Sequence, residues 1–199
     1  MISPPIKIGV TGTHSTGKTS FLDALERELV QINLRVRRLG NFASDAQKMG
    51  FPILRDHNYD STLWIMTQCM RLEAEAALST DVILVDRPVI DALGYLRAAL
   101  HLTHRSIGDR RLDELTAIVR VHTPEYDRLI KTSLDKDIDL GVGRDQDEEF
   151  RETAASWIDR LVSDNAPDAL TLTSSNQDTI VQDVVRYVSS RPADIDTDG

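Results

Sequence analysis

Cysteine is almost missing from this chain: Cys69 stands alone among 199 residues. That excludes a disulfide framework and a thiolate zinc site, each of which needs several cysteines. Cys69 lies in the helical-looking stretch Trp64-Ile65-Met66-Thr67-Gln68-Cys69-Met70 and reads as a small buried hydrophobe rather than a reactive thiol. Aromatic residues are scarce too, at 5%. A basic excess is lacking: 23 Lys+Arg face 32 Asp+Glu, a formal charge of −9. This argues against nucleic acid as a partner but leaves room for an anionic ligand in a local basic pocket. No apolar run reaches the roughly 18 residues a membrane span needs. The opening MISPPIKIGVTGT has no charged leader followed by a long apolar core, so no secretory signal is expected and the cytoplasm is the simplest compartment. Internal repeats, low-complexity tracts and Gly/Ser linkers are absent as well.

What remains is a chain of one-domain length, 41% apolar, with enough apolar residues for a core. Residues 6–11 read as a short buried strand, with β-branched Ile6, Ile8 and Val10 before glycine punctuation. Helical spacing follows over 18–32, with Leu22, Leu25 and Leu29 on one face, and 34–39 can form a second strand. Asp60-Ser61 is placed as the N-cap of a long helix reaching residue 78. Residues 81–86 (DVILVD) form the clearest strand. Helices are expected over 89–102, 107–121, 145–162 and 179–188, with strands within 126–134 and at 170–173. Strands alternating with helices imply βαβ crossovers and a parallel sheet of about five strands with helices on both faces. One domain is expected over 1–190, with a flexible acidic tail at 191–199.

One motif outweighs the rest. Gly12-Thr13-His14-Ser15-Thr16-Gly17-Lys18-Thr19, followed by Ser20, matches G-x-x-x-x-G-K-[ST] at every fixed position, between a strand and a helix. Glycines let the backbone wrap a phosphate, and loop amides with the helix N-terminus face the anion. Lys18 is placed to reach the β- and γ-phosphates, and Thr19 to put its hydroxyl on Mg²⁺. A second carboxylate is needed at the end of a nearby strand, and Asp86 stands at the end of DVILVD with Arg87 next to it.

With GTHSTGKTS followed at mid-chain by VDRPVIDALGYLRA, the chain resembles the P-loop small-molecule kinases, which include nucleoside and nucleoside monophosphate kinases. Within them it most resembles the AAA-type ATPase family related to nicotinamide-riboside kinase domains. The resemblance implies a P-loop NTPase fold of three α/β/α layers, ATP and Mg²⁺ as cofactors, and a small-molecule acceptor. It implies that Asp86 assists Mg²⁺ or the acceptor and that Arg87 contacts substrate or the transferring phosphate. Asp91 and Tyr95, one helical turn apart, could line the acceptor site or form a solvated face. These kinases close an arginine-bearing lid over the nucleotide, and residues 135–151 suit that role, with Arg144 and then Arg151 as its cations.

For the acceptor, the resemblance points to the residues after the second strand and on the long helix: Asn41, Phe42, Asp45, His57, Tyr59, Trp64, Gln68 and Arg71. Trp64, at helical spacing with Met66, Met70 and Leu72, reads more readily as core. No carboxylate directly follows the second strand, where the chain has Arg37-Arg38-Leu39-Gly40-Asn41, so a base must come from Asp86 or Asp45 or be unnecessary. A phosphate acceptor needs none, and Arg37, Arg38, Arg87 and Arg97 would serve one if they converge. A regulatory GTPase is disfavoured, since no Asn-Lys-x-Asp is present. A P-loop ATPase or NTP-binding regulatory module without a small acceptor is the alternative. A homodimer stays open.

Overall fold

In the computed structural model, the described residues are 4–13, 17–133 and 147–191. Strand β1 (Ile6–Thr11) is central, because its apolar side chains alternate with Lys7, Gly9 and Thr11 and both of its edges are paired. Helix α1 (Lys18–Gln31) buries Leu22, Leu25 and Leu29 on one face. Strand β2 (Val36–Leu39) and helix α2 (Phe42–Lys48) follow, then a 3-10 turn at Leu54–Asp56 and the long helix α3 (Tyr59–Ala76). Strand β3 (Val82–Asp86) leads into α4 (Val89–Thr103), α5 (Asp109–His122) and a second 3-10 turn, Thr123–Glu125. Strand β4 (Arg128–Thr132), α6 (Glu148–Asn165), β5 (Leu170–Leu172) and α7 (Gln177–Ser190) complete the order.

The five strands form one parallel sheet in the order β2-β3-β1-β4-β5. The chain leaves β1 toward β2 and crosses from β3 to β4, so connections diverge at the carboxyl end of β1, where open parallel sheets bind ligands. Strand β3 shows why there are three layers. Ile83 and Val85 join the core under α2, α3, α4 and α6. Val82 and Leu84 join the opposite core, under α1 and α7. A strand buried on both faces must be apolar at successive positions, as DVILVD is.

Helix α4 is buried on nearly all sides, against α3, α5 and α6. Its Gly94 sits where a Cβ would lie 2.5 Å from Ile158 Cγ1 and 3.4 Å from the Ile158 amide nitrogen, so this glycine sets how closely α4 and α6 approach.

The differences from the sequence expectation include two helix starts and one whole helix. The long helix is capped by Asn58, not by Asp60-Ser61. The Asn58 side chain accepts the Ser61 N–H at 2.9 Å, and the Ser61 hydroxyl accepts the Asn58 N–H at 3.1 Å. Ser61 is thus the third residue of a capping box rather than the cap. Helix α6 begins at Glu148, because Asp147 accepts the Phe150 N–H at 3.0 Å. Helix α2 was unforeseen; seven residues are too few for a periodic pattern. The expected lid, apart from 147–151, and the tail beyond 191 lie outside the described residues.

We expect Gly94→Ala to destabilise the protein by about 1–3 kcal/mol, since overpacking outweighs the gain of at most about 1 kcal/mol in helix propensity. Urea unfolding with an unchanged m-value checks this; a neutral or stabilising result would place the α4–α6 contact elsewhere.

Candidate active site

The chain turns out of β1 at Gly12, whose φ is 129°. A side chain there would run into the Thr132 hydroxyl and lie 3.2 Å from the Thr132 carbonyl, so the first motif glycine is needed because the loop passes against β4. Gly17, at φ 79°, enters α1 through the left-handed region. Lys18 is buried and folds back over the loop, donating from Nζ to the Gly12 carbonyl at 2.8 Å and to the Thr13 carbonyl. Thr19 and Ser20 are exposed on the first turn of α1. His14, Ser15 and Thr16 lie outside the described residues.

Beside the loop, Asp86 pairs in register with Val10 across β3 and β1. Its Oδ1 is buried with no hydrogen-bond partner among the described residues, and its Oδ2 lies 3.7 Å from Arg38 Nη2. Arg87 follows at φ 66° and donates its backbone N–H to the Val10 carbonyl at 3.0 Å. Its guanidinium donates to the Tyr95 hydroxyl at 2.7 Å and lies 4.0 Å from Asp91 Oδ2. Asp91 is no solvated face, being 2% exposed. It accepts from the Thr11 hydroxyl and from the Gly12 N–H at 3.2 Å. Burial pushes its carboxyl up to about 6, against the opposing pull of Arg87 and Lys18.

These groups line one end of a cavity of about 570 Å³. Asn41, Asp86 and Arg87 stand at or just after the carboxyl ends of β2 and β3 and Asp91 in the first turn of α4; Ile53, Leu54, His57 and Ile65 form another wall. Asn41, Leu54 and Arg87 all hold left-handed φ values, of 63°, 58° and 66°. Each such conformation costs a non-glycine residue on the order of 1–3 kcal/mol, and such strain gathers at functional sites. His57 is buried, and burial, helped by the charge of Arg105, lowers its pKa to about 4. A smaller cavity of about 210 Å³ lies between Gly12, Thr13, the end of β4 and the α6 residues Ala155, Ile158 and Asp159.

Several sequence candidates lie away from the cavity. Asp45 is tied to Lys48 at 2.8 Å on the outer side of α2. Tyr59 donates to Glu114 at 3.0 Å and carries Arg111 over its ring. Trp64 packs on Phe51, and Gln68 and Arg71 bond to each other at 2.9 Å on the surface. The cause is one of helix phase: Ser61, Thr62, Ile65 and Cys69 take the inner face of α3. Arg151 is 4% exposed, one turn before Ala155 on α6, and its Nε and Nη1 have no partner among the described residues. Arg144 lies outside the described residues. Ser44 and Gln47, which also line the large cavity, were missed because they belong to the unforeseen α2.

A second buried polar cluster was missed as well. Glu73 accepts from the Tyr126 hydroxyl at 2.6 Å and from Cys69 Sγ at 3.2 Å, and meets His122 Nε2 at 2.9 Å. Burial pushes the Cys69 thiol up, so it is held as an unreactive donor.

Residues 7–176 match a family model described as an AAA domain. No curated protein matches the sequence. A solved structure of NadR protein in complex with NR aligns at 14% identity and a TM-score of 0.69, over 94% of this chain and 52% of that one. This chain thus spans about half the length of that NadR chain. A structure of deoxyadenosine kinase from M.mycoides with bound dATP aligns at 13% identity and a TM-score of 0.63, over 93% of this chain and 100% of that one. At such identities the likeness shows the fold, that of P-loop kinases. Among the described residues no helix is long and apolar enough to cross a membrane.

Asp91→Ala strands two donors and removes the carboxylate beside Arg87, so we expect a loss of about 2–4 kcal/mol in urea unfolding, against a smaller loss for Asp91→Asn. His57 supplies a pH test. Its pKa falls from 6.5 in the unfolded chain to about 4, so the stability it lends is complete above about 6.5 and is lost as pH falls toward 4. Between about pH 7.5 and about pH 4.5 the parent protein should lose about 2–3 kcal/mol more than His57→Gln, which does not titrate. Parallel losses would show that His57 is not held neutral.

Proposed function

The chain belongs to the AAA domain family, and from that premise we propose that it is an ATP- and Mg²⁺-dependent phosphotransferase that moves the γ-phosphate of ATP to a hydroxyl of a nucleoside. The observation that carries this reading is the cavity of about 570 Å³ lined by Asp86, Arg87 and Asp91, the last of which holds the first amide of the phosphate loop. A module that only hydrolyses ATP has no use for an acceptor chamber there. The NR held by NadR and the kinase name of the second structural neighbour support the same reading.

The residues fit the ATP·Mg²⁺ donor. Lys18 and the N-terminus of α1 face the polyphosphate. The Thr19 hydroxyl is open and would hold Mg²⁺, which leaves the unpartnered Asp86 oxygen for the acceptor. The ion, when bound, neutralises charge on the phosphate oxygens. Arg151, buried with unpartnered N–H groups on the α6 face that carries Ala155, supplies a cation near the transferring group.

Two observations favour a nucleoside over a monophosphate. Of the four arginines that would have to converge on an acceptor phosphate, only Arg87 lines the cavity. Arg37 is exposed, Arg38 is held between Asp23 at 2.5 Å and Asp86 at 3.7 Å without lining the cavity, and Arg97 lies over the Trp157 ring at 5.4 Å. A hydroxyl acceptor, unlike a phosphate, needs a base, and Asp86 Oδ1 has no partner among the described residues. The hydroxyl's proton passes to Asp86 as its oxygen bonds to the γ-phosphorus and ADP departs.

ADP formation should rise on adding nucleosides and stay low with ATP alone. Lys18→Ala should lower turnover by about 100-fold or more, and Asp86→Asn by a similar factor. Equal hydrolysis without any acceptor would overturn the kinase reading; preference for nucleoside monophosphates would overturn the choice of acceptor.

A further inference from the structure

One wall of the cavity is formed by Ile53, Leu54 and Ile65, with His57 among them. His57 is 2% exposed. Its Nδ1 lies 3.1 Å from the Ser61 hydroxyl. Which nitrogen carries the proton follows from the neighbouring bonds. The Asn58 carbonyl already accepts from the Thr62 hydroxyl at 2.8 Å and the Thr62 N–H at 3.1 Å, which fills its two lone pairs. The Ser61 hydroxyl is 3.2 Å from that carbonyl and has a second candidate in His57 Nδ1. It already accepts the Asn58 N–H at 3.1 Å. The Ser61 proton is therefore best spent on Nδ1, and the imidazole hydrogen resides on Nε2. No partner is found for Nε2 among the described residues.

The ring is fixed from several sides. Tyr95 meets it edge-on, with centroids 6.3 Å apart. Arg105 Nη2 donates to the carbonyls of Arg55 and His57, at 2.5 and 3.1 Å. Arg55 in turn bonds to Asp147, and to Glu149 at 2.7 Å, at the start of α6. Leu54 holds its left-handed φ within this pinned turn. A buried donor held so firmly in an otherwise apolar wall reads a hydrogen-bond acceptor on whatever fills the cavity.

We propose that His57 is a specificity-determining residue that donates its Nε2 hydrogen to a carbonyl oxygen or an unprotonated ring nitrogen on the heterocycle of an uncharged acceptor. This rests on the nucleoside reading above and narrows it: the base is read by a neutral donor, and a ring without an acceptor atom is rejected because Nε2–H would stay buried and unpaired. The depressed basicity of His57 agrees with a donor that carries no charge at neutral pH.

Calorimetric titration of the full chain tests this without turnover, using adenosine, inosine, guanosine, cytidine and uridine, and a phenyl C-riboside that has a ring but no acceptor atom. We expect at least one natural nucleoside to bind about tenfold or more tightly than the phenyl riboside. His57→Phe should abolish that preference by weakening the natural nucleoside, and His57→Gln, which keeps an N–H donor, should restore most of it. Titration with ATP reports whether each variant is folded. A parent protein that binds the phenyl riboside as tightly as every natural nucleoside overturns the proposal with no variant needed. So does His57→Phe binding within about twofold of the parent, or a protein that binds ATP and none of the nucleosides. Nucleoside binding that depends on His57 but yields no ADP leaves this assignment standing and removes the kinase reading, so the two fail separately.

Discussion

The site depends on one buried carboxylate. Asp91 on α4 takes the hydroxyl of the last β1 residue, Thr11, and the first amide of the phosphate loop, Gly12. It also balances Arg87, which starts the same helix after β3. Two segments distant in sequence, the end of β1 and the start of α4, meet at two oxygen atoms. Burying a carboxylate is costly unless donors surround it. The rise of its pKa to about 6 shows that burial is only partly offset. In return the start of the loop keeps a fixed position relative to the Asp86-Arg87 pair.

The other end of β1 repeats the device. On the strand face opposite Ile6, Ile8 and Val10 stand Lys7, Gly9 and Thr11. Thr11 is met by Asp91 of α4, and Lys7 lies 3.6 Å from Glu73 of α3. Between them Gly9 leaves room for Leu129 Cδ1, which a Cβ would approach to 2.8 Å. The central strand is thus gripped by an apolar layer on one face and by two buried carboxylates on the other. Burial raises the Glu73 carboxyl, yet hydrogen bonds from His122, Tyr126 and Cys69 hold it below its ordinary value. That end stays ionised and structural, whereas the Asp91 end faces the ligand cavity.

The fold was legible in the sequence wherever pattern and length agreed. DVILVD, buried on both faces, and the strand–glycine–helix run around Lys18 leave little choice, and both stand where the spacing puts them. The acceptor wall was far less legible. Helix α2 is too short to show a period, yet it carries Ser44 and Gln47. Along α3, Trp64 and Gln68 are as aromatic or polar as a ligand site could ask, yet a phase set by packing puts Trp64 against Phe51 at the edge of the core and Gln68 against Arg71, away from the cavity. His57 gives no sign from its neighbours in sequence that its ring is buried; its setting comes from Arg105 and Tyr95, some 40 to 50 positions later. Local spacing cannot report contacts that long-range packing creates.

Charge placement ties these points together. The chain is acidic overall, and among the described residues the cations around the loop and the junction are Lys18, Arg87, Arg38 beside Asp86, Lys131 at the end of β4 and Arg151 on α6. Lys18 is committed to loop carbonyls, Arg87 to Tyr95 and Asp91, Arg38 to Asp23 and Lys131 to Asp159. Positive charge is concentrated where a polyphosphate belongs and thins out along the acceptor cavity. There, apart from Arg87, the polar groups are neutral or acidic, among them Asn41, Ser44, Gln47, His57 and Asp86. On the kinase reading proposed above, a second anion in that chamber would meet the buried Asp86 oxygen with Arg87, and Arg38 at 3.7 Å from Asp86, as the described cations to offset it, so the described lining favours an uncharged acceptor.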